Sequence, residues 1–153
     1  MTPEQKLKEL GIDLPAPAAP IGAYVPAVRT GNLVFTAGQL PMKAGALVAA
    51  GKVPTEVPLE QAQLAARTAV VNALAAVKAV VGSLDAVVRI VRLNVFVNSA
   101  AGFTQQAAAA NGASELLAAA FGDAGRHVRT AVGVNELPLD SPVELELLVQ
   151  IKT

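Results

Sequence analysis

The residues in this sequence best suited to chemistry lie in its closing stretch, Arg129 to Thr153. An arginine opens the apolar run Arg129-Thr130-Ala131-Val132-Gly133-Val134, and a glutamate stands second in Val143-Glu144-Leu145-Glu146-Leu147-Leu148-Val149. A charge that faces a core must be paired or functional, because burial penalises it heavily otherwise. A guanidinium offers a rigid planar fork for a carboxylate, which a lysine cannot reproduce, and a glutamate can orient or activate a water. Arg129 and Glu144 are therefore the candidate site. Each has a structural alternative. Arg129 can pair a carboxylate at a subunit contact, and Glu144 can join Glu146, about 7 Å along the same strand face, in a polar lining. If the two runs form a hairpin centred on their loop, Glu144 falls opposite about Gly133, so spacing alone does not bring it to Arg129.

Other polar residues are weaker candidates. His127, the single histidine, has the chemistry of a general base, but with no partner nearby in the sequence it reads as a loop or interface residue. Tyr24, the single tyrosine, lines a cleft or packs in the ordinary way. Asn111-Gly112 reads as an irregularity in a helix, and Arg89 and Arg92 as solvent or interface residues.

Composition narrows the functional classes. Twelve basic residues balance twelve acidic ones, so no strong attraction to nucleic acid phosphates is expected. With no cysteine and one histidine, thiol chemistry is excluded and a protein-only metal site is not expected. The chain is 53% hydrophobic and 16% charged, which on one small domain implies a surface covered by further subunits. No stretch reads as the roughly eighteen uncharged apolar residues of a membrane span. The N-terminus lacks a signal-peptide core, which points to the cytoplasm.

The elements that must position these residues are legible in order. Thr2, Pro3 and Gln5 start a short helix that Gly11 ends, an appendage followed by a proline-rich lead-in to about residue 20. Strands at Tyr24 to Val28 and Leu33 to Ala37 flank a turn with Gly31-Asn32. Residues 42–58 read as loop, with a short strand at Ala46 to Ala49. Apolar residues recur at threes and fours from Leu59 to Val81, predicting an amphipathic helix that Gly82 stops. The β-branched run Val87 to Val97 predicts a central strand covered on both faces. Phe103 to Phe121 predicts an alanine-rich helix interrupted at Asn111-Gly112. The resulting ββαβαββ order is an α+β sandwich, a mixed sheet with two helices on one face.

Several ordered matches give the chain a family likeness over about residues 17 to 152. They are Ile21-Gly22-Ala23-Tyr24, the run Gly31 through Gln39, Asn94-Val95-Phe96-Val97, and Arg129 through Glu146 with its Leu137-Pro138 pair. The chain resembles the RidA/YjgF family of reactive-intermediate deaminases, which also carries the older label endoribonuclease L-PSP. The resemblance implies two parts, an N-terminal helix and lead-in over 1–16 and the family domain over 17–153. It further implies a chorismate-mutase-like fold and a homotrimer whose sheets form a central barrel with ligand clefts between subunits. By the same likeness, Arg129 grips the carboxylate of a small 2-imino or 2-keto acid and Glu144 positions the attacking water. Tyr24, Ala37 and the backbone at Gly38 line the cleft. No cofactor is implied, since an imine is already electrophilic. Ala37 stands where many members place a ligand-bonding serine, and His127-Val128 where many place a proline. Asn111 and Glu115 align with the family's helix only if extra residues are placed near 106–110 and 118–120. The alternatives are a noncatalytic trimer that binds small carboxylates or a protein partner, and RNA cleavage, for which the neutral chain offers neither a basic track nor a stacking platform.

Overall fold

The structure, a computed structural model, describes residues 1–17, 19–20 and 22–153. Ala18 of the lead-in and Ile21, which opens the Ile21-Gly22-Ala23-Tyr24 motif, lie outside the described residues.

The first helix, α1 (Pro3–Glu9), forms as its sequence dictates. The Thr2 hydroxyl accepts from the Gln5 amide, and the Gln5 side chain returns a bond to the Thr2 amide. It is not an appendage, however. Leu7 is 1% exposed and belongs to the core, while Glu4 pairs with Lys78 and accepts from the Ser83 hydroxyl at 2.7 Å. Those two bonds, Lys78 first, hold the Glu4 carboxyl below its ordinary range.

Strands β1 (Ala27–Thr30) and β2 (Leu33–Thr36) make the expected hairpin, with Gly31 at φ 59° in its turn. The first strand starts later than predicted, beyond Pro26, which has no N–H to give a ladder. The 42–58 stretch contains a small hairpin, β3 (Met42–Lys43) and β4 (Ala46–Leu47), so the short strand expected from Ala46 stops at Leu47. Helix α2 (Leu59–Val81) has the predicted bounds and ends at Gly82, whose φ of 89° suits a residue without Cβ. It is long and apolar enough by composition to cross a membrane, which the sequence reading did not anticipate. Here its apolar face, Ala62, Ala66, Ala69, Val70, Ala73 and Val77, is buried in the core.

Strand β5 (Val87–Asn98) is interior to the five-stranded sheet, but the middle strand is β7 (Val143–Ile151); the order is β1-β2-β7-β5-β6, with β6 (Val128–Val134) at the edge. The last two strands do not pair as a hairpin. β5 lies between them, antiparallel to β7 and parallel to β6. Helix α3 (Gln106–Phe121) is continuous, with no break at Asn111-Gly112. Gly112 is required there by close packing, because a Cβ would lie 1.9 Å from the Gln63 carbonyl oxygen of α2. Helices α2 and α3 pack together on one face of the mixed sheet, as predicted. The other face carries no helix among the described residues and exposes Val28, Phe35, Val128 and Val132. β5 is therefore covered by its own chain on one face only.

Candidate functional site

Glu144 lies on the helix-free face of β7. Alternation puts Val143, Leu145 and Leu147 into the core and turns Glu144 and Glu146 the other way. Gln39 and Leu145 exchange backbone hydrogen bonds of 2.7 and 3.1 Å, which presses the chain at Gly38 against Glu144. The approach leaves no room for a side chain while Glu144 keeps its place: a Cβ on Gly38 would fall 2.5 Å from Glu144 Oε2. A cavity of about 330 Å³ opens beside this contact, lined by Tyr24, Gly38, Gln39, Pro138, Leu139 and Glu144 among others. Burial first, and the neighbouring Glu146 second, push the Glu144 carboxyl above its ordinary range. Glu146 is itself held by Asn94, which donates to it at 3.1 Å.

The wall carrying Pro138 and Leu139 is fixed from beneath. Asn98, fully buried, donates to Asp140 Oδ1 and the Ser141 carbonyl at 3.1 Å each, and accepts from Lys52 Nζ at 2.9 Å. Lys52 also bonds the Asn135 carbonyl. Leu139 stands at φ 57°, a conformation costly for a leucine, and is 62% exposed over the cavity. Ala37 sits just outside, beside Tyr24 in a shallow apolar depression with Val25, Val28 and Phe35.

Arg129 is elsewhere. It pairs in register with Leu93, which also pairs with Leu147, and both leucines are buried under the helices. Glu144 pairs with Phe96, which pairs with Val132. Cross-strand partners share a face, so Arg129 and Glu144 emerge on opposite faces of the sheet. The Arg129 side chain lies on α3, donating from Nη1 to Asn111 Oδ1 at 2.8 Å and to Ser114 Oγ at 3.1 Å. His127 has a partner after all: its Nε2 is 2.9 Å from Ser114 Oγ, and its Nδ1 is 2.7 Å from the Gly125 carbonyl oxygen. One chain thus unites Tyr24, Gly38 and Glu144, with Ala37 alongside, and holds Arg129 apart.

A second concavity, about 800 Å³, is an open groove between the lead-in, the β3–β4 turn and α2, lined by Asp13, Lys43, Leu64 and Arg67 among others; it holds none of the candidate site residues.

Comparison with known proteins decides the kinship. Residues 4–151 match the model of a family described as "YjgF/chorismate_mutase-like, putative endoribonuclease". The chain belongs to the YjgF family. Protein TCP17 of Trypanosoma cruzi is 42% identical to it over 146 residues, covering 95% of this chain and 91% of the relative. Among solved structures, protein Atu1372 of Agrobacterium tumefaciens is 43% identical with a TM-score of 0.91, covering 98% of this chain and 92% of its own. A Shewanella oneidensis protein named "putative endoribonuclease" is 33% identical with a TM-score of 0.95, covering 99% and 100%. The resemblance read from the motifs and the chorismate-mutase-like fold both hold for this YjgF-family chain.

The sequence reading missed Gln39 as cavity lining, Asn98 as the clamp beneath it, and Ser114 as the link between His127 and Arg129. Only the last left a signal. Asn111 and Ser114 are three apart on one helix and so project from one face.

Proposed function

We propose that this YjgF-family protein hydrolyses short 2-imino acids to 2-keto acids and ammonia, in clefts formed between the subunits of a homotrimer. The observation that carries the reading is the divided site. Glu144 stands against Gly38 in a cavity lined chiefly by apolar side chains, while Arg129, on the edge strand, is bonded among the described residues through Nη1 alone. A second copy seated on the uncovered apolar face would bring another chain's Arg129 to this chain's Glu144, and cover Val28, Phe35, Val128 and Val132 at the same time. Arg129 then binds the substrate carboxylate and orients the imine carbon over Glu144. Glu144, as carboxylate, accepts a proton from water as the water oxygen bonds to that carbon and the C=N electron pair returns to nitrogen. Glu144 returns that proton to the nitrogen, giving a carbinolamine; the hydroxyl proton then passes to the amine as the C=O bond forms and the C–N bond breaks, releasing ammonia and leaving the ketone.

The test is hydrolysis of 2-iminobutanoate, generated in situ by an amino-acid oxidase. Arg129→Ala should reduce kcat/KM by about ten- to a hundredfold, the worth of a charge-assisted bidentate pair. Full activity in that variant would sink the assignment. The division of the site adds a sharper check: co-folded Arg129→Ala and Glu144→Gln chains should regain activity that neither has alone, and a mixture as inactive as its parts would rule out a cleft between copies. Gly38→Ala should behave like a weakened Glu144 variant, lowering kcat by about tenfold with little loss of stability, because the flexible carboxylate can move aside where the backbone cannot.

A second reading, a noncatalytic trimer binding small carboxylates or a protein partner, is favoured by Ala37, which offers no hydroxyl to a ligand. The E. coli TdcF structure, 29% identical to this chain, holds bound serine, a small molecule with a carboxylate. Binding of 2-oxobutanoate without hydrolysis of any imine would select this reading. RNA cleavage has less support: charge balances at zero, and among the described residues no basic side chain lines the Glu144 cavity.

A further inference from the structure

We propose that Ser114, oriented by His127, is the positioning residue that turns one edge of the Arg129 guanidinium toward the ligand carboxylate. The inference rests on Arg129 being the carboxylate anchor, which both readings above share.

The hydrogen bonds run in one direction. The Gly125 carbonyl can only accept, so His127 Nδ1, 2.7 Å away, carries a proton. In the neutral imidazole Nε2 is then an acceptor, and Ser114 Oγ–H donates to it across 2.9 Å. With its only proton committed to His127, Ser114 presents lone pairs to Arg129 Nη1 at 3.1 Å, and Asn111 Oδ1 takes a second Nη1 bond at 2.8 Å. Both Nη1 protons are engaged by α3. Among the described residues, Nε and Nη2 have no partner, and that edge is the side-on fork that matches a carboxylate.

The far end of the chain of bonds is rigid. A Cβ on Gly125 would lie 2.2 Å from the Leu117 carbonyl oxygen, so the turn at Gly122–Gly125 is pressed closely onto α3. His127 and Arg129, two apart on one extended segment, project to the same side, where Asn111 and Ser114 lie three apart on α3. An arginine held at Nη1 beforehand has fewer rotamers to lose when it binds, so ligand is held more tightly.

The experiment is a set of variants read by calorimetric titration with 2-oxobutanoate and by KM and kcat for imine hydrolysis. Ser114→Ala should weaken 2-oxobutanoate about tenfold and raise KM in step, with kcat and the melting temperature little changed, since a positioned ground-state contact is lost. Ser114→Thr, which keeps the hydroxyl, should bind as the wild type does. His127→Ala should weaken binding like Ser114→Ala, and the double variant should be no worse than Ser114→Ala alone, because the two act in one chain. The uncharged 2-oxobutanamide should bind equally to all of them. Wild-type affinity in Ser114→Ala, or additive losses in the double variant, would overturn the proposal. If Arg129→Ala binds 2-oxobutanoate poorly while Ser114→Ala binds it normally, only the positioning role falls; if Arg129→Ala binds it normally, the anchor reading falls as well.

Discussion

Glu144→Gln should lower kcat for the proposed imine hydrolysis by about a thousandfold, within the range expected for loss of a positioned general base, and should leave KM within about threefold because Arg129, as the proposed anchor, would still hold the carboxylate. The amide fills the same space beside Gly38 but cannot take a proton from water. The same substitution should stabilise the protein at neutral pH. Burial, and then Glu146, push the Glu144 carboxyl up in the folded chain. The folded state therefore keeps this proton to a higher pH than the unfolded state does. Its contribution to stability is fully present below the unfolded pKa and is lost as pH rises through the folded one. At about pH 7 the ionised carboxylate is a net cost that glutamine removes, and at about pH 3.5, below the ordinary range for a glutamate, most of the difference should vanish. Denaturant midpoints of the two proteins at both pH values measure this. Activity should carry the same signature. The proposed reaction needs an ionised Glu144, so the acid limb of kcat/KM should lie above the usual carboxylate range, and Glu146→Gln, by removing the second cause of the shift, should move it to lower pH. An acid limb that ignores Glu146 would mean that another group controls the rate.

Where the sequence was legible, the reason was local. The threes-and-fours recurrence from Leu59 gives α2 its bounds because the residues of that stripe are buried in, or packed against, one shared core. Thr2 and Gln5 cap α1 with atoms three residues apart. The misreadings arose where the deciding partner is remote in the chain. Two strands joined by a short loop look the same whether they pair or part, and here β5 separates them through a parallel ladder with β6 that no local pattern announces. Leu7 looked like part of an appendage because nothing near it shows that α1 packs into the shared core. His127 looked solitary because Ser114 approaches it from another element.

The candidate site was legible by residue type and not by geometry. Arg129 and Glu144 stood out because charge on an apolar strand needs a reason, and the register then placed them on opposite faces of the sheet. That separation does not weaken a shared role. Arg129 stands on the edge strand β6, where a neighbouring copy could reach its side chain, and Glu144 on the uncovered face, so in the proposed assembly each copy would lend a guanidinium to one cleft and a carboxylate to the next. The interface would then be under selection for chemistry as well as for burial of Val28, Phe35, Val128 and Val132.

Gly112→Ala is the substitution expected to harm stability most, and it runs against helix propensity. In the middle of α3 an alanine is intrinsically favoured over glycine by about 1 kcal/mol, so propensity alone predicts a gain. The neighbour decides otherwise. The added Cβ would meet Gln63 of α2 at 1.9 Å from its carbonyl oxygen, 2.6 Å from its carbonyl carbon and 2.9 Å from its Cα. All three are backbone atoms in the first half of a long helix, and no rotamer change can move them. The helices must separate, straining the Gln63 Nε2 bond to the Ala108 carbonyl, 2.9 Å, that ties them together. Overpacking of this kind costs about 3 kcal/mol, a large share of the roughly 5–15 kcal/mol available to a domain. The reverse substitution on the exposed side of the same helix, Ala118→Gly, should also destabilise, by about 1 kcal/mol, for the ordinary entropic reason. Opposite chemical changes on one helix would then act in the same direction, and only the close approach of α2 accounts for that. Because Asn111 and Ser114 ride on α3, any Gly112→Ala protein that still folds should also bind 2-oxobutanoate more weakly, whereas Ala118→Gly should not. A Gly112→Ala melting temperature equal to the wild type's would mean that α2 and α3 are not in the contact described.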